Sequence, residues 1–180
     1  TKISVNNGGD IAFWTGNGAI TRAAIAGQQD AAITLRGPTA WRGMATSGQG
    51  GRSLSPGIAD SVTVLADCAA HADVAATLIA GAVNCPGLAG IDRIPAHDID
   101  ADSDLGSRLV TIAVPPLDLG QIDTALTAGC TLATELIAGG RIAGAVLELQ
   151  GEIAVVGLDD PAARLAMTRD SGDNSMTRED

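Results

Sequence analysis

The chain has 180 residues, enough for one domain or for a domain with a tail, and 46% of them are hydrophobic. Only 2% are aromatic, so Ala, Val, Ile and Leu must build the core. With 11 Lys and Arg against 21 Asp and Glu, the formal net charge is −10, a field that repels phosphate backbones and anionic lipid. No apolar run approaches the roughly 18 to 20 residues of a spanning helix. We therefore expect neither a general nucleic-acid binder nor a membrane protein.

Two short strands are predicted at 2–5 and 10–14, and Asn6-Asn7-Gly8-Gly9 supplies a tight turn between them. A β-like run follows at 32–35. Residues 36–57 are dense in Gly, Ser and Thr, and a stretch of that length without periodicity indicates a long, functional loop.

The β-branched run at 61–66 predicts a strand, Asp67 is the expected N-cap, and 70–83 is predicted as a helix. Residues 91–104 are acidic and are predicted to be irregular. A further strand is predicted at 109–114, where Pro115 and Pro116 stop it.

The clearest helix is predicted at 121–138, because its apolar residues recur on one face and two glycines follow it. Residues 146–156 predict a hairpin around Gln150-Gly151, and residues 158–180 predict a polar, disordered tail. Strands, hairpins and two helices in this order favour an α+β fold with a mixed or antiparallel sheet and packed helices.

The three cysteines, at positions 68, 85 and 130, form no CxxC pair, so we predict reduced thiols and a cytoplasmic location. His71 and His97 are interpreted as surface side chains and are assigned to no metal pair. The chain begins at Thr1 instead of Met, and we interpret it as a processed product or a fragment of a longer protein.

Asp73 and Thr77 are candidate ligands for a metal. Their spacing of four residues puts a carboxylate and a hydroxyl on one helix face, and such hard oxygen ligands suit Mg²⁺. The alternative is an ordinary Asp in the first turn with a Thr hydroxyl bonded back to the helix. The turn at Asn7-Gly8-Gly9-Asp10 permits close approach of a ligand, and Ser47-Gly48 opens a flexible loop that ends on the cation Arg52.

These segments, taken in order, resemble the ApbE-type flavin transferase superfamily. The matching motifs are NGGD at 7–10, TSG at 46–48, SVTV at 61–64 and ADVAAT at 72–77. The chain looks most similar to an uncharacterised ApbE-related branch. The motifs that carry this closer likeness are TSGQGGRSLSPGIAD at 46–60, DADSDLGSRLVT at 100–111 and LQGE at 149–152.

The resemblance implies that residues 1–157 are the C-terminal portion of an ApbE-like α+β domain. It implies an enzyme that uses Mg²⁺ to split FAD and transfers FMN to a Ser or Thr hydroxyl. Asp73 and Thr77 would then be metal ligands. The flavin nucleotide pocket would be lined by Asn7, Gly8, Gly9, Asp10, Ser47, Gly48 and Arg52, where Arg52 stands in the place of a His in the transferases. The superfamily's upstream half would come from a preceding segment or a partner subunit.

Two alternatives stay open. Thr1 could be an N-terminal nucleophile of an amidohydrolase, with its own amine as the base. The chain could instead be a non-catalytic flavin- or ligand-binding protein on the same scaffold. If upstream cover is missing, we expect exposed apolar surface on the strand at 61–66 or on the helix at 121–138.

Overall fold

The computed structural model describes residues 1–25, 28–50, 53–160 and 163–167. Its largest element is a six-stranded sheet, here called the central sheet, in which every neighbouring pair is antiparallel. In spatial order it contains β1 (Lys2–Asn6), β2 (Ile11–Thr15), β5 (Gly43–Ser47), β6 (Ser61–Ala66), β9 (Ile142–Leu149) and β10 (Glu152–Gly157).

A second antiparallel sheet, the outer sheet, contains β11 (Asp159–Asp160), β12 (Ala163–Met167), β4 (Gln28–Arg36) and β3 (Ile20–Ile25) in that spatial order. A separate two-stranded sheet pairs β7 (Asp92–Pro95) with β8 (Leu109–Ala113). The two helices are α1 (Ala69–Ala82) and α2 (Leu119–Ala138).

The central sheet is buried on both faces at β6, one of its inner strands. Val62 and Val64 pack in one core cluster with α1 and α2, whereas Leu65 packs in a second cluster with residues of the outer sheet. Successive strand residues point to opposite faces, so one strand serves both clusters. The molecule is therefore layered as helices, central sheet and outer sheet, and the predicted α+β class is confirmed.

The predicted helix starts differ from the observed ones. The N-cap of α1 is Cys68 and not Asp67, whose carboxylate instead faces His71 in the first turn. The second helix begins at Leu119, because Asp118 and Gln121 form a reciprocal capping box.

Two stretches predicted to be irregular contain strands. The strand β5 lies within 36–57, and its residues are buried on both faces, so it lacks the apolar–polar alternation that reveals a half-buried strand. The strand β7 lies within 91–104 and pairs with the predicted strand β8. The strand β3 was also not predicted.

The tail does not begin at residue 158. Within the predicted tail, β12 pairs with β4, and its Ala163 is buried while the next residue, Arg164, is exposed. The polar composition of the whole segment masked this short alternating pattern. Residues 168–180 lie outside the described part of the chain. Among the described residues, no helix is long and apolar enough to cross a bilayer.

Candidate functional site

The turn between β1 and β2 is organised by its own asparagines. Asn6 accepts a hydrogen bond from the backbone N–H of Gly8 at 2.7 Å, and Asn7 accepts one from Asp10 at 2.9 Å. Gly8 has a φ of 95°, in the left-handed region that a glycine adopts without strain. These contacts present Asp10 at the start of β2 instead of leaving it on a loose loop.

The first turns of α1 lie against β5 beside this turn. A Cβ atom on Gly43 would lie 1.9 Å from the carbonyl carbon of Cys68, so only glycine permits this close approach. The pairing of β2 with β5 ends at Ile11 and Met44, and β5 continues past it. The end of the sheet is therefore open between the turn and the helix.

A cleft of about 610 Å³ occupies this opening. Its walls come from the turn, β2, β3, β5 and α1, together with the segment that precedes β6. The lining residues are Asn6, Asn7, Gly8, Gly9, Asp10, Ile11, Ala24, Ile25, Met44, Thr46, Ser53 and Asp73. Five of the residues that the sequence singles out, Asn7 to Asp10 and Asp73, are thus brought together.

Two carboxylates share the cleft. Desolvation raises the pKa of Asp73 above its ordinary value, and the negative charge of Asp10 raises it further. None of the described lining residues is Lys, Arg or His. The oxygen donors of Asp10, Asp73 and Thr46 are the kind that Mg²⁺ and Ca²⁺ prefer, so the donor set fits a hard cation.

The other predicted site residues lie outside this lining. Thr77 is exposed one turn along α1, and Gly48 packs its backbone against Asp60. Ser47 is 3% exposed, and its hydroxyl has no hydrogen-bond partner among the described residues. Arg52 lies outside the described residues. Thr1 is at the far end of β1 from the turn, where its carbonyl accepts a hydrogen bond from Gly16.

Sequence reasoning missed several residues of the cleft. Thr46 faces it and its hydroxyl is 2.8 Å from that of Thr63 on the neighbouring strand. Ala24 and Ile25 reach the cleft from β3, a strand that was not predicted. The sequence indicated that Thr46 lies near the site, because it directly precedes Ser47-Gly48. Which way its side chain points could not be predicted without the strand β5.

A second group of polar side chains lies where β6 passes into α1. His71 was expected to be an isolated surface side chain, yet its Nδ1 is 2.6 Å from Oδ1 of Asp67. This hydrogen bond, with smaller contributions from the charge of His71 and from Cys68, lowers the pKa of the Asp67 carboxyl. The sequence contained a signal for this contact, because Asp67 precedes His71 by four residues, a spacing that brings two side chains together on one helix face.

A family model described as AbpE bacteria matches residues 1–155. The chain belongs to the AbpE bacteria family. The matched region of this AbpE chain includes the whole cleft lining and both helices.

A relative of the AbpE chain is the UPF0280 protein of Methanothermobacter thermautotrophicus, strain Delta H. The two are 45% identical over 86 residues, which is 46% of this chain and 33% of the relative. The aligned segment thus spans about a third of that protein. Neither the family description nor the relative's name states a reaction, a substrate or a cofactor.

Proposed function

We propose that this AbpE-family chain is a divalent-metal-dependent enzyme of the ApbE type that acts on FAD or a related nucleotide, with transfer of FMN as the reaction. The observation that carries the proposal is the meeting of the Asn7–Asp10 turn with Asp73 in one cleft. These segments are far apart in the chain, and both belong to the motifs that resemble the flavin transferases. Their convergence is what a shared ligand site requires.

The charges of the cleft support a cation as part of the site. A pyrophosphate is anionic, and the formal charge of the chain is −10. No described lining residue offsets that repulsion, and Asp10 and Asp73 add to it. A divalent ion held by these two carboxylates would neutralise the pyrophosphate and assist departure of the phosphate group. Thr77 is the further ligand that the resemblance assigns, one helical turn from Asp73.

The remaining residues have roles in binding and orientation. The glycines of the turn leave room for a nucleotide to approach the backbone, and Ile11, Ile25 and Met44 supply an apolar wall for a flavin ring. The hydroxyls of Thr46 and Ser53 offer hydrogen bonds. The resemblance places Ser47, Gly48 and Arg52 around the same nucleotide, and an upstream segment or partner subunit would complete the pocket.

A non-catalytic flavin-binding protein is the second candidate. The described lining holds no His, Cys or Lys that could act as a general base or nucleophile near neutral pH. Binding and reaction must therefore be measured separately. Release of AMP from FAD, together with flavin fluorescence that stays with a denatured acceptor protein, distinguishes the enzyme from the binding protein.

Calorimetric titration of the full-length protein with FAD, in Mg²⁺ and in chelator, tests the proposal. We expect FAD binding to depend on Mg²⁺. We expect Asp73→Asn to weaken metal affinity by about 10-fold or more, because removing even a residue that only supports a metal ligand lowers metal affinity by about that factor. The matched control is Glu135→Gln, an exposed carboxylate on α2, which should leave both affinities unchanged. Equal FAD affinity with and without Mg²⁺, or no binding in either, contradicts the proposal.

A further inference from the structure

The side chains of Asp67, Cys68 and His71 form a cluster of metal-binding donor atoms outside the cleft. A carboxylate oxygen, the sulfur and a ring nitrogen all lie within 4.8 Å of one another. Among the described residues, this is the place where three such donors meet. None of the three lines the cleft that holds Asp73.

The start of the helix creates this arrangement. Cys68 is the N-cap of α1 in an extended conformation, and its side chain makes no capping hydrogen bond, so the sulfur is not engaged by the helix backbone. His71 follows three residues later and lies on the same side of the first turn. Asp67 directly precedes the cap and contacts His71. The close packing of Gly43 on Cys68 holds the backbone of this segment in place.

The chemistry of the donors selects the class of ion. A thiolate, an imidazole and a carboxylate together suit Zn²⁺ and similar transition metals, whereas Mg²⁺ and Ca²⁺ require oxygen ligands. Tetrahedral zinc has ligand atoms about 3.5 Å apart, given bonds of about 2.0 to 2.3 Å. The donors are within reach of that geometry by rotation of exposed side chains, since Asp67 and His71 are 54% and 61% exposed.

We propose that Asp67, Cys68 and His71 bind one divalent transition-metal ion of the zinc class, with its fourth position open. The cluster adjoins a groove of about 430 Å³. Asp67 and Cys68 themselves line that groove, together with Ile3, Val5, Trp14 and Arg42. A metal held there would lie beside an apolar wall and one guanidinium group, which suits a ligand that has an apolar body and an anionic donor atom.

Cobalt substitution of the full-length protein tests the proposal, because Co²⁺ reports its ligands through its absorption spectrum. We expect one equivalent of Co²⁺ to give a thiolate-to-metal charge-transfer band and tetrahedral ligand-field bands, and Zn²⁺ to displace it. Cys68→Ser should abolish the charge-transfer band, and His71→Gln should lower Zn²⁺ affinity by about 10-fold or more. Circular dichroism spectra of both variants check that they remain folded.

The chain supplies its own controls. Cys130→Ser and His97→Gln remove the same chemical groups at other places, and both should retain the wild-type spectrum and affinity. Asp73→Asn should also retain them, which separates this site from the proposed nucleotide cleft. Binding of Co²⁺ without a charge-transfer band, or unchanged affinity in folded Cys68→Ser, would overturn the proposal. A spectrum lost in Asp73→Asn but kept in His71→Gln would do so as well.

Discussion

At the scale of single residues, Asp10 and Asp73 determine the electrostatics of the cleft. Both are candidate site residues by sequence, but their charges interact only because the turn and α1 converge. Desolvation and the charge of Asp10 raise the pKa of Asp73, so the folded protein holds the Asp73 proton more tightly than the unfolded chain does. Asp73 therefore stabilises the fold below its ordinary pKa of 3.8, and this contribution is lost as the pH rises through the folded-state pKa.

Replacing Asp10 should remove the part of the Asp73 pKa shift that comes from the charge of Asp10. We expect Asp10→Asn to lower the pKa of Asp73 towards 3.8 and to increase the stability of the metal-free protein at neutral pH. Titration of the Asp73 carboxyl carbon by NMR measures the pKa, and denaturant unfolding measures the stability. The control is Asp104→Asn, an exposed aspartate of the loop before β8. An Asp73 pKa that stays the same in Asp10→Asn would show that the two carboxylates do not interact.

At the scale of elements, the helix layer depends on a close contact of α2 with its neighbours. Gly129 is buried in the middle of α2, and a Cβ atom there would lie 2.5 Å from a methyl group of Val83 and 2.6 Å from one of Leu147. Both of these side chains are fully buried, so neither can move into solvent. The glycine therefore sets how closely α2 approaches β9 and the end of α1.

Two glycine-to-alanine variants separate this packing effect from helix propensity. Gly81 lies in the last turn of α1, and a Cβ atom there would make an ordinary contact at 3.4 Å with Pro56. Both substitutions favour a helix, but only Gly129→Ala overpacks the core. We expect Gly129→Ala to be less stable than Gly81→Ala by about 1 to 3 kcal/mol. Urea unfolding measures the difference, and equal stability would mean that α2 shifts outward without cost.

At the scale of the whole molecule, the helices cover only part of the central sheet. The expected exposure of the strand at 61–66 is wrong, because β6 is buried on both faces, and α2 buries Ile122, Leu126 and Ala133. Apolar surface is instead exposed on the hairpin at the edge of the sheet. Ile3, Val5 and Trp14 are 59%, 66% and 43% exposed, and Ile3 lies opposite Trp14 in the register.

An apolar edge hairpin of this kind promotes association between chains. We expect the double variant Ile3→Gln with Val5→Gln to bind less of a hydrophobic dye. We also expect its sedimentation coefficient to depend less on protein concentration, because fewer chains associate. The control is Leu119→Gln, which removes a single exposed side chain at the start of α2. If the double variant and the control behave alike, the hairpin is not the surface responsible.

Local patterns were sufficient for the elements whose signals are local. The strand β6 has the bounds that its β-branched run predicts. The hairpin at Gln150-Gly151 is predicted from its turn residues and its alternation, and the structure confirms it with positive φ at both turn residues. The strands β3 and β5 were not predicted. The strand β3 pairs with β4, the next strand in the chain, but its alanines give a weak β signal. The strand β5 has none of the alternation that marks a strand with one exposed face.

The amino-acid sequence by itself determined the α+β class, the two helices, the two hairpins and the residue types able to hold an oxygen-ligated cation, because these follow from periodicity, turn chemistry and composition. Only the tertiary structure decided which of those residues meet. Asp73 joins the Asn7–Asp10 turn through the contact of α1 with β5, while Thr77, one turn away, remains outside the cleft lining. Spacing along a helix indicates a shared face, but the depth and the neighbours of that face depend on long-range packing.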